Sequence, residues 1–241
     1  MIVCKVSHPL KYLESFMSKI VDGIVRFKSD IYPERKELFN RLAQGQHPEA
    51  LFITCSDSRI DPNLLVHTEP GELFIIRNAG NIVPPHNNYT GGVTASIEYA
   101  VAALGIEHIV ICGHSGCGAM EGVMRPDDVE GLPHVQQWLS YTKAAQQIVE
   151  ERIPNASFDE KLAMLTEENV LLQLRHIQTH PHVAAKYATG KVQLHAWVYD
   201  IGSGVVKAYD DMSRCFVPVE ECYQEQAHAL ARKNADGCSH K

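Results

Sequence analysis

The sequence predicts an α/β fold with a mainly parallel central β-sheet flanked by helices. Two short apolar runs, ALFIT at 50–54 and HIVIC at 108–112, have the length and the β-branched content of buried strands. A helical stretch at about 90–104 lies between them, entered through two glycines and closed by Gly105. Because strand, helix and strand in this order form the crossover unit of a parallel sheet, the chain is assigned to the α/β class.

The first part of the chain predicts a helical arm that precedes the sheet. Its apolar residues recur at three- and four-residue spacing, namely Leu10, Leu13, Phe16, Met17, Ile20, Val21, Ile24 and Val25. This spacing predicts an amphipathic helix at 10–28. Because the helix stands apart from the α/β pattern, we expect its apolar face to pack on a partner subunit. A second helix is predicted at 33–43, with Pro33 in its first turn and Gly45 at its end.

Beyond the crossover unit the sequence continues to alternate between strands and helices. Strands are predicted at 72–77, 192–199 and 205–209, and helices at about 134–151, 157–179 and 181–189. The helix at 157–179 opens with Ser157 and Glu160 at the spacing of a capping box. The last two strands are joined through a Gly-Ser-Gly turn, which predicts a hairpin at the edge of the sheet. Residues 218–241 predict a short helix and a polar tail.

Composition excludes several classes of function. The net charge of −7, without clusters of Lys and Arg, argues against a nucleic-acid partner. No apolar run approaches the roughly 20 residues of a membrane span, and the N-terminal residues lack the apolar core of a secretory leader. The seven cysteines are odd in number and scattered, so we expect reduced thiols and a cytoplasmic protein, with a microcompartment such as a carboxysome as an alternative.

Two clusters of ligand and charged residues follow the predicted strands. The stretch CSDSR places Cys55, Asp57 and Arg59 after the first strand, and GHSGCG places His114 and Cys117 after the second. Open α/β sheets bind their ligands at the carboxyl ends of their strands. If the two strands are neighbours, Cys55, His114 and Cys117 converge on one ion. A Cys2His set with one open position is a catalytic zinc pattern, whereas structural zinc is normally closed by four protein ligands.

The charged residues beside Cys55 suit the same chemistry. Asp57 can accept a hydrogen bond from a zinc-bound hydroxide and orient it, and Arg59 can hold Asp57 ionised through a bidentate contact. Each residue alone also has an ordinary explanation: a buried cysteine, a hydrogen-bonded turn histidine, a surface ion pair. Their joint placement at two strand ends favours the metal site. Cys112, inside an apolar run, is expected in the core.

The motifs CSDSR, RNAGN at 77–81 and HSGCG at 114–118 together resemble those of the β-class carbonic anhydrases, and the resemblance extends over roughly residues 15 to 217. It implies one Zn²⁺ per chain, bound by Cys55, His114 and Cys117. It implies that Asp57 and Arg59 form a catalytic pair. The domain plan is then a single domain, 1–241, with an arm at 1–45, an α/β zinc core at 46–217 and a C-terminal helix and tail at 218–241.

The resemblance also implies a reaction and an assembly. The reaction is the reversible hydration of carbon dioxide to bicarbonate and a proton, by attack of a zinc-bound hydroxide. Asn81 and the Gly116 backbone would border the substrate pocket. The assembly is a homodimer, often paired into tetramers or larger, with the N-terminal helix embracing the other subunit.

Two positions bear on departures from the family pattern. Glu69 stands where the plant enzymes carry a glutamine that contacts substrate, and its role is left open. Some members bind bicarbonate at a non-catalytic site made by a tryptophan, an arginine and a tyrosine, for which this chain has Phe52, Arg77 and Tyr199. Because phenylalanine lacks the indole donor, we expect a weak inhibitory site and an open zinc position at neutral pH, with Arg59 pairing with Asp57.

Two other functions are compatible with the same motifs. One is a related zinc hydrolase on the same scaffold, such as an enzyme acting on carbon disulfide. The other is a non-enzymatic subunit that binds zinc or bicarbonate, which the full set of ligand and charged residues disfavours.

Overall fold

The computed structural model describes residues 10–87 and 91–224, with side chains from residue 16 onward. The chain divides into two compact units, Met1–Gln46 and His47–Lys241. This division falls next to the predicted limit between arm and core, and the assignment of both units to one domain stays a prediction. The predicted tail beyond residue 224 lies outside the described residues.

Within its described residues, the first unit is helical. Its elements are α1 (Leu10–Arg26), a π-helical turn (Phe27–Ile31), α2 (Tyr32–Glu34) and α3 (Lys36–Leu42). The predicted helices at 10–28 and 33–43 are therefore present. Phe27, Tyr32 and Phe39 close the bend between them, with ring centroids 5.2 to 6.2 Å apart. These ring contacts supply the apolar packing within this unit.

The second unit is an α/β sheet. Its strands are β1 (Ala50–Cys55), β2 (Leu73–Asn78), β3 (His108–His114), β4 (Gln193–Tyr199), β5 (Val206–Asp210) and β6 (Cys215–Pro218). Its helices are α4 (Pro62–Val66), α5 (Gly92–Glu98), α6 (Gly118–Met124), α7 (Pro133–Leu139), α8 (Lys143–Arg152), α9 (Phe158–Ile177), α10 (Pro181–Ala188) and α11 (Val219–Cys222). The strand order is β2-β1-β3-β4-β5-β6. The first four strands are parallel and the last two join antiparallel, which confirms the mainly parallel sheet.

The edge of the sheet differs from the prediction. The hairpin of β4 and β5 is present, but β6 pairs beyond it and forms the outer edge. The segment CFVP was not predicted as a strand because four residues are too few to show a period of two. Pro218, which lacks a backbone N–H, closes this strand, as expected for proline at a sheet edge.

Side-chain hydrogen bonds explain two of the differences between the predicted and the observed helices. The predicted helix at 134–151 is interrupted by a 3-10 turn, where Ser140 and Thr142 hydroxyls each donate to a carbonyl three residues back, at 2.6 Å. Such bonds compete with the α-helical ladder. The helix α4 was not predicted. Asp61 caps it by accepting from the amides of Asn63 and Leu64, and Pro62 occupies its first turn.

Helix α9 positions the strand ends. The predicted capping box is confirmed: the Glu160 amide donates to the Ser157 hydroxyl, and the Ser157 amide donates to the Glu160 carboxylate. Val170 and Ile177 of this helix belong to the same core cluster as Ile53 of β1 and Ile111 of β3. The cluster fixes both strands against one long helix, so the carboxyl ends of β1 and β3 lie side by side.

The opposite face of the sheet carries a second, smaller apolar cluster. Phe52, Val110 and Cys112 are buried there, and Trp197 and Tyr199 pack against them. Cys112 is fully buried, as expected for a core residue, and burial raises its pKa to about 12. It is therefore a protonated core side chain at neutral pH.

A histidine pair lies at the other end of this face. Nε2 of His195 in β4 is 3.1 Å from Nδ1 of His108 in β3, and its Nδ1 is 2.8 Å from the Tyr223 hydroxyl. Burial, and secondarily the nearby His108, lower the pKa of His195 to about 4. The folded protein therefore holds this ring neutral where an unfolded chain would protonate it.

We predict that His195→Gln makes the protein less sensitive to acid. Between about pH 6.5 and 4 the unfolded state binds a proton that the folded state excludes, so stability falls as the pH falls through this window. The wild type should lose on the order of 1–3 kcal/mol more than the variant between pH 7 and 4.5, measured by denaturant unfolding. The exposed His134 gives a control, His134→Gln, and equal acid sensitivity in wild type and His195→Gln would contradict the prediction.

Candidate metal centre

Three ligand side chains meet where β1 and β3 end. Cys55 is the last residue of β1, His114 is the last of β3, and Cys117 immediately precedes α6. Their ligand atoms all lie within 4.8 Å of one another. All three are buried, with exposed fractions of 5%, 0% and 1%. The structure thus brings together the three residues that the sequence placed at neighbouring strand ends.

Two glycines make this convergence possible. A Cβ on Gly113 would lie 2.8 Å from Cγ2 of Val170, so only glycine lets the end of β3 pass this close to α9. Gly116 has φ +59°, a left-handed conformation that turns the chain back so that Cys117 faces Cys55. The HSGCG sequence therefore contains both the ligands and the backbone freedom that they need.

His114 has a nitrogen available for an ion. Its Nδ1 lies 3.0 Å from the Ser115 carbonyl, which can only accept, so Nδ1 carries the proton. Its Nε2 is buried and has no hydrogen-bond partner among the described residues. A buried polar atom without a partner is costly, and a metal ion would satisfy it. This arrangement is typical of a metal-binding histidine whose other nitrogen donates to a carbonyl.

The two sulfurs are close enough to influence each other. Sγ of Cys55 is 3.9 Å from Sγ of Cys117. This contact lowers the pKa of Cys55 to about 4 and, together with burial, raises the pKa of Cys117, because one thiol proton is shared and a second thiolate would be repelled. A divalent cation would remove this repulsion and allow both sulfurs to bind as thiolates. The donor set therefore fits a metal ion.

Asp57 and Arg59 form a tight ion pair beside the three ligands. Arg59 donates from Nε to Oδ1 of Asp57 at 2.9 Å and from Nη2 to Oδ2 at 2.7 Å. The Arg59 amide also donates to Oδ1, at 3.0 Å. These bonds hold the pKa of Asp57 well below its usual range. Oδ2 of Asp57 is 3.9 Å from Nε2 of His114, so the carboxylate borders the candidate metal position.

The predicted pocket residues lie in different surroundings. Asn81 is buried with φ +48°, and its Nδ2 has no hydrogen-bond partner within the described part of the chain. The Gly116 carbonyl accepts from Nη2 of Arg59 at 2.8 Å. Glu69 lies in the exposed turn between α4 and β2, where its amide donates to the Glu72 carboxylate. Asn81 follows Gly80 and Gly116 precedes Cys117, so both lie near the candidate metal ligands, while Glu69 belongs to a surface turn.

The three residues named for a non-catalytic bicarbonate site are also placed. Phe52 is 1% exposed and meets Trp197 edge-on. Tyr199 packs against the same cluster as Phe52. Arg77 donates from Nε to the Cys55 carbonyl and from Nη2 to the Asp57 carbonyl, at 3.0 and 2.7 Å. Arg77 therefore supports the backbone of the CSD segment, and its role toward bicarbonate stays a prediction.

One contact to the cluster was not predicted. The amide of Gly80 donates to Sγ of Cys55 at 3.4 Å. Gly80 lies in the RNAGN stretch, so that motif was the available signal. What the sequence does not show is that a backbone N–H in this motif points at a ligand sulfur 25 residues earlier.

None of the helices among the described residues combines the length and the apolar character that crossing a bilayer requires.

A parallel α/β sheet with a buried Cys-His-Cys set at two strand ends defines a class of thiolate-rich metalloproteins. Comparison with known proteins narrows this class. A family model described as carbonic anhydrase matches residues 50–206. A carbonic anhydrase of Pseudomonas aeruginosa is 50% identical over 205 residues, which cover 85% of this chain and 93% of the relative.

Solved structures agree with these matches. The β-carbonic anhydrase CcaA superposes with a TM-score of 0.82 at 41% identity, covering 85% of this chain and 92% of the other. A structure from Sordaria macrospora, described among two tetrameric β-carbonic anhydrases, has a TM-score of 0.68 at 29% identity, covering 86% and 98%. The chain therefore belongs to the β-class carbonic anhydrases. As a member of this family it is a metal-binding lyase, a carbonate dehydratase.

We predict that Cys55→Ser and Cys117→Ser each lose most of the bound metal. A serine hydroxyl stays protonated at neutral pH and is a poor ligand for a soft divalent cation. Metal content per chain, measured by mass spectrometry after purification, should be about one in the wild type and far below one in both variants. The exposed Cys215 offers a matched control, and Cys215→Ser should keep its metal. Full loading of the Cys55→Ser protein would show that this cluster is not the site.

Proposed function

We propose that this chain catalyses the zinc-dependent, reversible hydration of carbon dioxide to bicarbonate and a proton. The observation that carries the proposal is the buried Cys55, His114 and Cys117 set, with the Asp57–Arg59 pair 3.9 Å from its histidine nitrogen. Relatives named carbonic anhydrase, 50% identical in the case cited above, support the same reaction.

Zinc is the metal that best suits these ligands. Two cysteines and one histidine favour zinc over magnesium or calcium, which prefer oxygen ligands. Two thiolates also balance the charge of a divalent ion inside a buried site. When bound, zinc supplies a Lewis acid that lowers the pKa of a coordinated water. Because thiolates bind zinc only while reduced, we infer a reducing compartment such as the cytoplasm.

Asp57 is proposed to orient the nucleophile. Its carboxylate is held by three donors from Arg59 and stays ionised, so it can only accept hydrogen bonds. Oδ2, near His114, can accept a hydrogen bond from the nucleophilic water and so direct the water's lone pair away from Asp57. Arg59 is itself fixed by the Gly116 carbonyl, so the carboxylate is held before substrate arrives. This pairing supports a zinc position left open by Asp57.

The substrate pocket is proposed to lie beside Asn81 and Gly116. The Nδ2 of Asn81 is a buried donor with no partner among the described residues, and a substrate oxygen would satisfy it. Carbon dioxide is small and apolar and needs few polar contacts of its own, whereas bicarbonate can use such a donor. Exchange of bicarbonate for water then restores the site.

We predict that Asp57→Asn lowers kcat about 10²-fold while metal content stays near one per chain. The amide cannot accept in the same geometry without presenting a competing donor, and the ligand set is untouched. Stopped-flow hydration of carbon dioxide and metal analysis on the same samples test this. Asp128→Asn, at an exposed turn, is the control and should behave as the wild type. Arg59→Ala should also lower kcat, because Asp57 would lose the donors that hold it. Wild-type turnover by Asp57→Asn would show that Asp57 has no role in the mechanism.

We also infer that the chain forms a homodimer, or a larger even assembly, through α1. In the described part of this helix the apolar side chains are 41% to 63% exposed, and they are Phe16, Met17, Ile20, Val21, Ile24 and Val25. Ser18, Lys19, Asp22 and Arg26 form the polar side of the same helix. An apolar stripe of this extent is unusual on a monomer and is typical of a subunit interface.

Deletion of residues 1–28 should therefore dissociate the assembly. Covering the apolar stripe gains about 25 cal/mol per Å² of buried apolar surface, and the truncated chain loses that gain. Sedimentation velocity should show a smaller species for the truncated chain and for Ile20→Glu/Ile24→Glu, while Asp22→Ala keeps the wild-type size. An assembly of unchanged size in the glutamate variant would refute the interface.

A further inference from the structure

The segment from 79 to 84 connects β2 to the rest of the fold without regular strand or α-helix. Gly80 to Val83 are buried, so their backbone groups need partners other than water. Side chains supply these partners. Trp138 donates to the Ala79 carbonyl and Asn169 donates to the Gly80 carbonyl. Gln173 accepts from the Val83 amide, while His176 donates to the Val83 carbonyl and His180 donates to the Pro84 carbonyl. The path of this segment is therefore set by helices α7, α9 and α10.

Trp138 acts on the peptide group that faces the candidate metal centre. Its indole Nε1 donates to the Ala79 carbonyl at 2.9 Å. The N–H at the other end of that same peptide group belongs to Gly80 and donates to Sγ of Cys55 at 3.4 Å. One peptide thus accepts from Trp138 and donates to Cys55. Hydrogen bonds in such a chain polarise one another, so the indole strengthens the donor that reaches the sulfur.

Asn169 fixes the next peptide group. Its Nδ2 donates to the Gly80 carbonyl at 3.0 Å, and its Oδ1 accepts from Gln173 at 2.8 Å. Gln173 in turn accepts from Nδ1 of His176 at 3.1 Å. Asn169 and Gln173 are fully buried and one helical turn apart on α9. These bonds hold Asn169 with its Nδ2 already directed at the Gly80 carbonyl.

The fit at Gly80 leaves little room for movement. Its φ is +76°, and a Cβ there would lie 3.0 Å from the Met120 side chain and 3.1 Å from that of Ala119. Both neighbours belong to α6, the helix that follows Cys117. The peptide that donates to Cys55 is thus enclosed between α6, α7 and α9.

We propose that Trp138 and Asn169 are positioning residues of the metal centre: Trp138 polarises the Gly80 N–H that donates to the Cys55 sulfur, and Asn169 holds Gly80 in place through its carbonyl. The inference rests on the proposed metal site. A hydrogen bond to a ligand sulfur withdraws electron density from it, so the metal keeps more of its Lewis acidity despite two thiolates. Both residues act through the backbone around Gly80, by the hydrogen bonds to the Ala79 and Gly80 carbonyls.

The test uses cobalt(II), whose thiolate-to-metal absorption band lies at longer wavelength than that of zinc and can be followed directly. Trp138→Phe keeps a ring at this position and removes the indole donor. We expect the band to move to lower energy, because a sulfur without its full hydrogen bond is a better electron donor. We also expect metal affinity, measured by competition with a chelator, to fall about 10-fold. The chain's other tryptophan provides the control: Trp197 donates to the Tyr223 hydroxyl, and Trp197→Phe should leave the band in place.

A second variant covers the case in which Trp138→Phe folds poorly. Asn169→Asp keeps the acceptor for Gln173 and replaces the donor to Gly80 with an oxygen. It should move the band in the same direction. A band at the wild-type energy in the folded variants would overturn the inference, even if melting temperature or affinity fell. Absence of any thiolate band in the wild-type cobalt protein would instead reject the metal site itself.

Discussion

The placement of two cysteine sulfurs 3.9 Å apart in a buried pocket is the constraint on which the rest of this structure depends. Sulfurs this close cannot both ionise without a counter-charge, and a buried imidazole nitrogen beside them has no partner among the described residues. The surrounding fold tolerates this cost because β1 and β3 are adjacent, parallel and held by one long helix. Gly113 then lets β3 approach α9 where a Cβ would clash with Val170, and Gly116 adopts a left-handed turn that other residues rarely adopt.

The charged residues border this buried set from the side of the surface turn. Cys55 faces the interior, while Asp57 and Arg59, two and four residues later, reach the surface turn. Arg59 occupies both carboxylate oxygens, and Arg77 holds the backbone carbonyls of Cys55 and Asp57 from the neighbouring strand. Two arginines thus fix the CSDSR segment: Arg59 holds the Asp57 side chain, and Arg77 holds the main chain.

Much of the fold followed from local patterns in the sequence. The strands β1 and β3 were predictable because both are short apolar runs with β-branched residues, and α9 was predictable because its capping box and its length agreed. The strand β6 and the helix α4 were missed, since four or five residues carry too little periodicity. At the candidate site, the convergence of Cys55, His114 and Cys117 could be predicted because each lies at or just after the end of a strand. The Gly80 contact and its support by Trp138 and Asn169 could not, because they depend on how α7 and α9 pack 58 and 89 residues away.

The spacing of the ligands along the chain has a consequence for folding. Cys55 and Cys117 are 62 residues apart, so a cation held by both would close a loop of that length. In the chain-entropy treatment of cross-links, closing such a loop removes about 4 kcal/mol of conformational freedom from the unfolded ensemble. Without the ion, the pairing of β1 with β3 must offset this entropy through apolar contacts and the hydrogen bonds between the two strands. The metal centre would then act as a reversible cross-link across the crossover unit, joining the end of β1 to the turn that follows β3.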